Sequence, residues 1–379
     1  MCDTHVLIKN NIVYFAKNSD REPGEAQLVV RIPPELSDKQ QKLKTTYITI
    51  DQSPDRHGVI LSKPFWLWGA EMGTNDRGVV IGNEAIYSRA IEKKRGLIGM
   101  DLLRLGLERG DTAEHAMQVI TELLEKYGQG GVCGYQDQSM RYDNSFIIAD
   151  AQQAWILETA GRFWVAKKVI FSAAISNCLT IGEDYDLKSD RLEDKAKQKG
   201  FVKYKGAFNF KKSFDTRFIP FFAGSRQRLQ SGESCLQQTF QEPQVYIHQM
   251  MNNLRSHYDQ TASPATGTNR DICMHAGGFI RRSQTCGSMV SRLKKKNNLH
   301  FFTGTSAPCM SIFKPVSFDS GLDFIVLNRD GKTVDGSLWQ NHEYIHRRLI
   351  FMDKKRHVLQ ESIARTENEM LSVFEDVNF

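Results

Sequence analysis

No apolar run in the 379 residues approaches the roughly 18 needed to cross a bilayer. The N-terminus has no basic stretch leading into a long apolar one, so neither a membrane span nor a secretory signal is expected, and the reading points to the cytosol. Cysteine is sparse and unpatterned: the seven residues are an odd number without CxxC spacing, which argues against a disulfide framework and a metal cluster alike. Cys273 and Cys309 read as small buried hydrophobes, and neither a metal nor a cofactor is expected. A reducing compartment would leave a nucleophilic thiol free. Strong charge is also missing. The net charge is +6, and the basic run Arg292, Lys294, Lys295, Lys296 has no interleaved aromatics, which makes it a solvated loop rather than a nucleic-acid surface. There is no internal repeat, no low-complexity linker and no phosphate-loop pattern; the glycine-rich stretch 128–134 reads as a helix stop.

What the chain does have is concentrated in its first twenty-one residues. Cys2 follows Met1, then come an apolar run (Val6-Leu7-Ile8), a turn pair (Asn10-Asn11) and a second run (Ile12-Val13-Tyr14-Phe15). This is the pattern of a β-hairpin with Asn-rich turn chemistry. Such a hairpin carries Asn18-Ser19-Asp20-Arg21 back beside Cys2. If Met1 is removed, one residue holds both a thiol and a free α-amine. With reference pKa values of about 8.5 and 7.7–8.0, the amine can accept the thiol's proton near neutrality. Nucleophile and general base then come from the same residue.

Further strands are expected at 28–32, 45–50, 59–61 and 79–85, the last ending in polar residues at Asn83-Glu84. Phe65-Trp66-Leu67-Trp68-Gly69 is either core or the wall of a substrate pocket. Amphipathic helices are predicted over 97–108 and 112–127, the second with Asp111 or Thr112 as N-cap. The stretches 145–149, 154–158, 163–169 and 173–181 read as a four-stranded antiparallel meander. One amide, Asn177, interrupts its last apolar strand. A charged excursion over 184–212 precedes a helix over 221–241, with Ser225 and Arg226 near its start. A polar loop covers 256–269, and late strands are expected at 285–293, 299–303 and 323–327. From Tyr344 onward one long helix carries a nearly heptad stripe. Mostly antiparallel connections between helical segments point to stacked α+β layers.

Met1-Cys2-Asp3-Thr4, the segment Phe15-Ala16-Lys17-Asn18-Ser19-Asp20-Arg21-Glu22, Ile272-Cys273-Met274-His275, Ser283 to Val290, Phe302 to Thr305 and Pro308 to Pro315 resemble the secernin and dipeptidase branch of the N-terminal-nucleophile hydrolases. That branch is related to choloylglycine hydrolases and penicillin V acylases. The resemblance runs over nearly the whole chain. It implies a four-layer αββα sandwich in one domain, 1–379, with a C-terminal helix docked on it over about 338–379. It further implies that Cys2 is the nucleophile, Asp20 the carboxylate that holds the terminal amine, and Asn83 and Asn177 the oxyanion residues. Arg226 roughly matches a guanidinium near the nucleophile, with Arg228 two residues on. Lys17 stands where relatives carry Arg, which keeps a cation but loses the bidentate fork.

The activity implied is cleavage of dipeptides or other small linear amides, with a peptide or amide as substrate partner and a homo-oligomer possible. Two other readings go with the resemblance: a secernin-like binding protein without turnover, and an amidase on a non-peptide substrate of bile-salt or penicillin type. A rival motif is His342-Glu343-Tyr344-Ile345-His346, an HExxH whose histidines would share one helix face. Glu361 or Glu367 could supply a third ligand. On one unbroken helix, however, a ligand 19 residues on would lie about 28 Å along the axis, so the motif is expected to be a docking surface.

Overall fold

The computed structural model describes residues 1–216, 221–259, 263–278, 281–319, 326–327 and 337–376. The first hairpin is β1 (Cys2–Lys9) and β2 (Ile12–Arg21), in the register Cys2↔Ser19 through Lys9↔Ile12. Asn10 and Asn11 turn it at φ 53° and 59°, left-handed conformations that Asn tolerates and that match the twist of a two-residue hairpin. Then come β3 (Gln27–Ile32), β4 (Lys42–Lys44), β5 (Thr49–Asp51), β6 (Val59–Pro64), β7 (Met72–Asn75) and β8 (Val80–Ile86). Helices α1 (Gly99–Arg109) and α2 (Ala113–Tyr127) are followed by β9 (Asp143–Ala149), β10 (Ala154–Ala160), β11 (Phe163–Val169), β12 (Ser172–Ile175) and β13 (Leu187–Lys188). Short helices α3 (Leu192–Gln198) and α4 (Phe210–Phe214) precede α5 (Ser225–Gln241) and α6 (Ile247–Leu254). The chain ends with β14 (Gln284–Leu293), β15 (Leu299–Phe302), β16 (Lys314–Val316), β17 (Val326–Leu327), α7 (Ser337–Leu349) and α8 (Asp353–Asp376).

Among the described residues the strands make two main sheets. One has the order β12-β1-β2-β14-β15-β16, the other β13-β11-β10-β9-β8-β7-β6-β3-β17. Alternation along each strand explains how they stack. Val6, Val13 and Phe15 of the first sheet meet Ile60, Met72, Val80 and Ile147 of the second, forming a buried layer between the sheets. The opposite face of the second sheet, with Leu61, Ile81, Phe146 and Ile148, packs on Leu103, Leu107, Met117 and Ile120 of α1 and α2. The opposite face of the first sheet, with Leu7, Tyr14 and Phe301, packs on Leu236 of α5, Met250 and Leu254 of α6 and Leu371 of α8. The layer order is therefore α-β-β-α, the sandwich expected.

Three elements differ from expectation. Residues 45–50 do not form one strand; β4 and β5 pair as a separate small hairpin, because Thr45 to Ile48 turns on itself through Thr45 N–H and Oγ1 to the Ile48 carbonyl. The meander has three strands, not four. After the exposed turn at Ile170-Phe171 the chain crosses to the first sheet, where β12 pairs with β1 at Thr4↔Ile175 through Leu7↔Ser172 and ends at Ile175. The C-terminal helix is two helices, broken at 350–352. Of the strand expected at 323–327 only 326–327 are described, paired parallel to β3, and of the loop 256–269 residues 260–262 lie outside the described set.

Candidate active site

Cys2 opens β1, with its side chain on the same face as Thr4 and Val6, between the sheets. It is buried, with 4% exposure. Its Sγ accepts the Asp20 N–H at 3.4 Å and lies 4.0 Å from Glu71 Oε2. Burial, opposed by Lys17 and reinforced by Glu84 and Glu71, pushes the thiol up to about 12. At rest the sulfur is a protonated thiol, so attack requires a base at the site.

The Cys2 N–H donates to Asn177 Oδ1 at 2.9 Å. On the helix side of β1 and β2, Asp3 and Asp20 flank the same point. Arg228, from the first turns of α5, is wholly buried there. Its Nη1 donates to Asp3 Oδ2 at 2.8 Å and to the Cys2 carbonyl at 3.2 Å, and its Nη2 donates to Asn177 Oδ1 at 2.9 Å. Asp20 Oδ1 accepts the Thr285 hydroxyl at 2.6 Å, while Oδ2 is buried with no hydrogen-bond donor among the described residues and lies 3.9 Å from Arg228 Nη1. Burial raises Asp20 to about 6, with the terminal amine and Arg228 pulling it back. Burial works against the Arg228 charge, but Asp3 and Asp20 raise its pKa above the ordinary value.

On the inter-sheet side Lys17 crosses toward the second sheet. Its Nζ donates to the Asn83 carbonyl at 2.6 Å and to Glu84 Oε1 at 3.2 Å, and Glu84 also accepts from Thr4. Burial, moderated by Lys17, lifts Glu84 to about 8. Gly82 makes the crossing possible: a Cβ there would run into the Lys17 stem and come within 2.9 Å of the Phe15 ring. Arg21 forks onto Glu25 at 2.9 and 2.6 Å and reaches Glu71 Oε1 at 2.9 Å, Tyr142 at 3.1 Å and the Cys133 carbonyl at 2.7 Å. With Cys2, Glu71, Tyr87, Tyr142 and Ser283 it lines a narrow cleft over the thiol.

Cys2, Asp20 and Asn177 thus meet. Asn177 reaches Cys2 only because β12 switches sheets. Its carbonyl, not its amide N–H, faces the Cys2 nitrogen, and Nδ2 donates to the Ala85 carbonyl at 2.9 Å. Asn83 lies on β8. Its Nδ2 reaches Asn144 Oδ1 at 3.2 Å, or, with the amide turned, the Glu71 carbonyl at 3.0 Å. Arg226 is not in the cluster: it is 59% exposed and lies 3.7 Å from Asp215. On α5, residues two apart point to different faces, and the buried face carries Arg228. Arg21 neighbours the thiol's cleft as the hairpin implies, whereas no role at the site was read from the sequence for Glu71, Glu84 or Thr285.

Trp66 packs around this cleft with Tyr87 and Tyr142 and donates to Glu25, while Trp68 stacks on Arg104 at 3.9 Å on the helix side. The aromatic run is therefore divided between wall and core. The HExxH motif lies on α7, with His342 Nε2 engaged by the Ser306 carbonyl at 2.8 Å and Glu343 by Ser306 and Gln284. Glu367 holds Arg255 at 2.7 Å and the Phe313 N–H at 2.8 Å. No helix among the described residues is long and apolar enough to cross a membrane.

Among solved structures, a mutant of the conjugated bile acid hydrolase from Clostridium perfringens is 9% identical, with a TM-score of 0.49 over 86% of this chain and 95% of that one. Penicillin V acylase from Agrobacterium tumefaciens is 14% identical, with a TM-score of 0.45 over 86% and 88%. Residues 70–226, which include Glu71, Asn83, Asn177 and Arg226, match peptidase family C69, and the match supports hydrolysis of an amide C–N bond. That matched stretch lies between the N-terminal and C-terminal segments that carry the resemblance read from the sequence.

Proposed function

We propose that the chain is a cysteine hydrolase that cleaves dipeptides or other small linear amides through Cys2 after loss of Met1. The observation that carries this is the environment of the Cys2 nitrogen, held at 2.9 Å by Asn177 Oδ1 beside Asp20 Oδ2, which accepts no hydrogen bond among the described residues. Once Met1 is gone that nitrogen is an amine with a carboxamide and a carboxylate to orient it. The amine takes the thiol proton as sulfur adds to the substrate carbonyl carbon. It returns the proton to the leaving nitrogen as the C–N bond breaks, and water then hydrolyses the thioester. Asn177 acts in this reading through its carbonyl, as a holder of the amine. Asp20, fixed by Thr285, completes that grip, and Arg228 keeps both in place. Asn83 is left as the amide closest to the oxyanion role.

The Met1 ammonium donates to the Asp20 carbonyl, and the Met1 carbonyl accepts the Asp20 N–H, both at 2.9 Å. An extra residue therefore occupies the mouth of the cleft and makes the Cys2 nitrogen an amide without basicity. Intact-mass analysis after exposure to an electrophilic amide probe tests the assignment. Protein starting at Cys2 is expected to gain one adduct at that residue, and Cys2→Ala and a form with an uncleavable N-terminal tag are expected to gain none. Full labelling and turnover in the tagged form would exclude the terminal-amine mechanism, and a folded, Cys2-initiated protein that never labels would favour the binding role.

A further inference from the structure

We infer that the chain holds a structural zinc ion through His257, Cys273, His275 and Cys309, a site separate from Cys2. His257 follows α6, Cys273 and His275 lie on the segment leading to β14, and Cys309 sits in the single helical turn Pro308–Met310. One ligand-type atom from each of the four lies within 4.8 Å of all the others. His275 Nε2 is 3.1 Å from His257 Nε2, 3.4 Å from Cys309 Sγ and 3.6 Å from Cys273 Sγ. Hydrogen bonding does not account for this convergence. An imidazole nitrogen offers one N–H or one lone pair, and here three polar atoms face the same one.

A tetrahedral ion does account for it. With Zn–N of 2.0–2.1 Å and Zn–S of about 2.3 Å, the edges of the tetrahedron are about 3.3 Å for N–N and about 3.6 Å for N–S, close to the separations found. Charge balances as well: two thiols lose two protons to solvent, two neutral imidazoles add none, and the divalent ion is neutralised inside a buried site. Cys273, His275 and Cys309 have at most 6% exposure, and His257 is half-buried. Four protein ligands leave no open position, which marks a structural rather than a hydrolytic metal.

The outer contacts fit too. The other nitrogen of His275 lies 3.3 Å from His346 Nε2, and His346 Nδ1 lies 3.5 Å from Glu343 Oε1. Two members of the HExxH motif thus form the imidazole-carboxylate support usual behind a ligating histidine. Cys273 and Cys309 also share a small apolar cluster with Ala307 and Met310, against Leu349 and Leu359, so the ion would pin α7 and α8 to the sheet. Between the two ligands of the 273–275 segment, the Met274 N–H donates to Thr285 Oγ1 at 2.9 Å, and that hydroxyl holds Asp20. The site therefore sits directly behind the amine-holding carboxylate.

The test is elemental analysis of the full chain purified without a polyhistidine tag from zinc-supplemented cultures. One zinc per chain is expected. Cys273→Ser and Cys309→Ser should fall below about 0.2 per chain, and His346→Ala should keep its fold and weaken zinc about 10–100-fold in chelator competition. Cobalt exchanged into the wild-type protein should give a tetrahedral spectrum with thiolate charge transfer, a readout independent of whether any variant folds. Metal-free wild-type protein, cobalt without a thiolate band, or a Cys273–Cys309 disulfide in the isolated protein would overturn the site. So would zinc that is lost in His342→Ala but kept in Cys273→Ser.

Discussion

Replacing Arg228 by Ala should unfold the protein far more readily than replacing Arg226 by Ala, although the two lie two residues apart on one helix. The Arg228 guanidinium is fully buried and satisfies Asp3, the Cys2 carbonyl, Asn177 and the Asn269 carbonyl at 2.8–3.2 Å. Its removal leaves Asp3 and Asp20 as buried carboxylates without their cation. Breaking a buried ion pair from one side costs about 3–5 kcal/mol. Arg226 is 59% exposed, with Asp215 at 3.7 Å, so its loss should cost no more than about 0.5 kcal/mol. The pH dependence sharpens the contrast. Asp20 already titrates near 6 with Arg228 present, above the unfolded value, so its burial favours the native state at low pH and the benefit is lost as pH rises through 6. Without Arg228 the folded value moves higher still. The deficit of Arg228→Ala relative to wild type should therefore grow between pH 5 and pH 8. Urea unfolding at those two pH values, followed by tryptophan fluorescence, measures this. Asp3→Asn in the Arg228→Ala background should recover part of the loss. Equal midpoints for Arg226→Ala and Arg228→Ala at pH 8 would refute the charge cluster.

Asn177→Ala should lower turnover about 10²–10⁴-fold with KM little changed, because it removes the acceptor that orients the base; steady-state kinetics on a dipeptide amide checks the split. Asp143, whose carboxylate accepts from Ser88 and the Gly161 N–H and which burial lifts to about 7, should make the protein less stable as pH rises from about 4 through 7. Asp143→Asn should flatten that part of the stability profile in urea titrations at pH 5, 6 and 8. Gly82→Ala should cost about 1–3 kcal/mol in thermal unfolding, since its methyl group collides with the Lys17 stem and the Phe15 ring.

How far the sequence could be read follows the range of the interactions involved. The hairpin of β1 and β2 is local: its alternation, its Asn pair and its register put Asp20 beside Cys2 within twenty residues, and this much was legible. Helices α1 and α2 were legible for the same reason, since period and caps are properties of neighbours in the chain. The crossing of β12 was not. Four short strands with short turns look alike whether the last stays in its sheet or moves to the stacked one, and only the unpaired edge of β1 decides. Arg226 against Arg228 was lost to a helix phase that two residues cannot reveal without knowing which face packs.

The same distinction bears on the histidines and cysteines, where spacing misled in both directions. HExxH has the local period of a zinc-binding helix, yet on α7 one of its histidines is engaged by the Ser306 carbonyl and the other is turned toward His275. Residues 257, 273, 275 and 309 have no recognisable metal spacing, yet three separate segments bring their ligand atoms within 4.8 Å. A local motif specifies ligands only when one turn or helix must supply most of them. Where the sandwich itself supplies the geometry, the ligands can be dispersed, and the ion then stabilises the fold by joining segments whose closure in the unfolded chain is entropically costly. Here those segments are the end of α6, the approach to β14 and the turn at Cys309. The second of them also carries, through Met274 and Thr285, the hydrogen bond that fixes Asp20 beside the nucleophile.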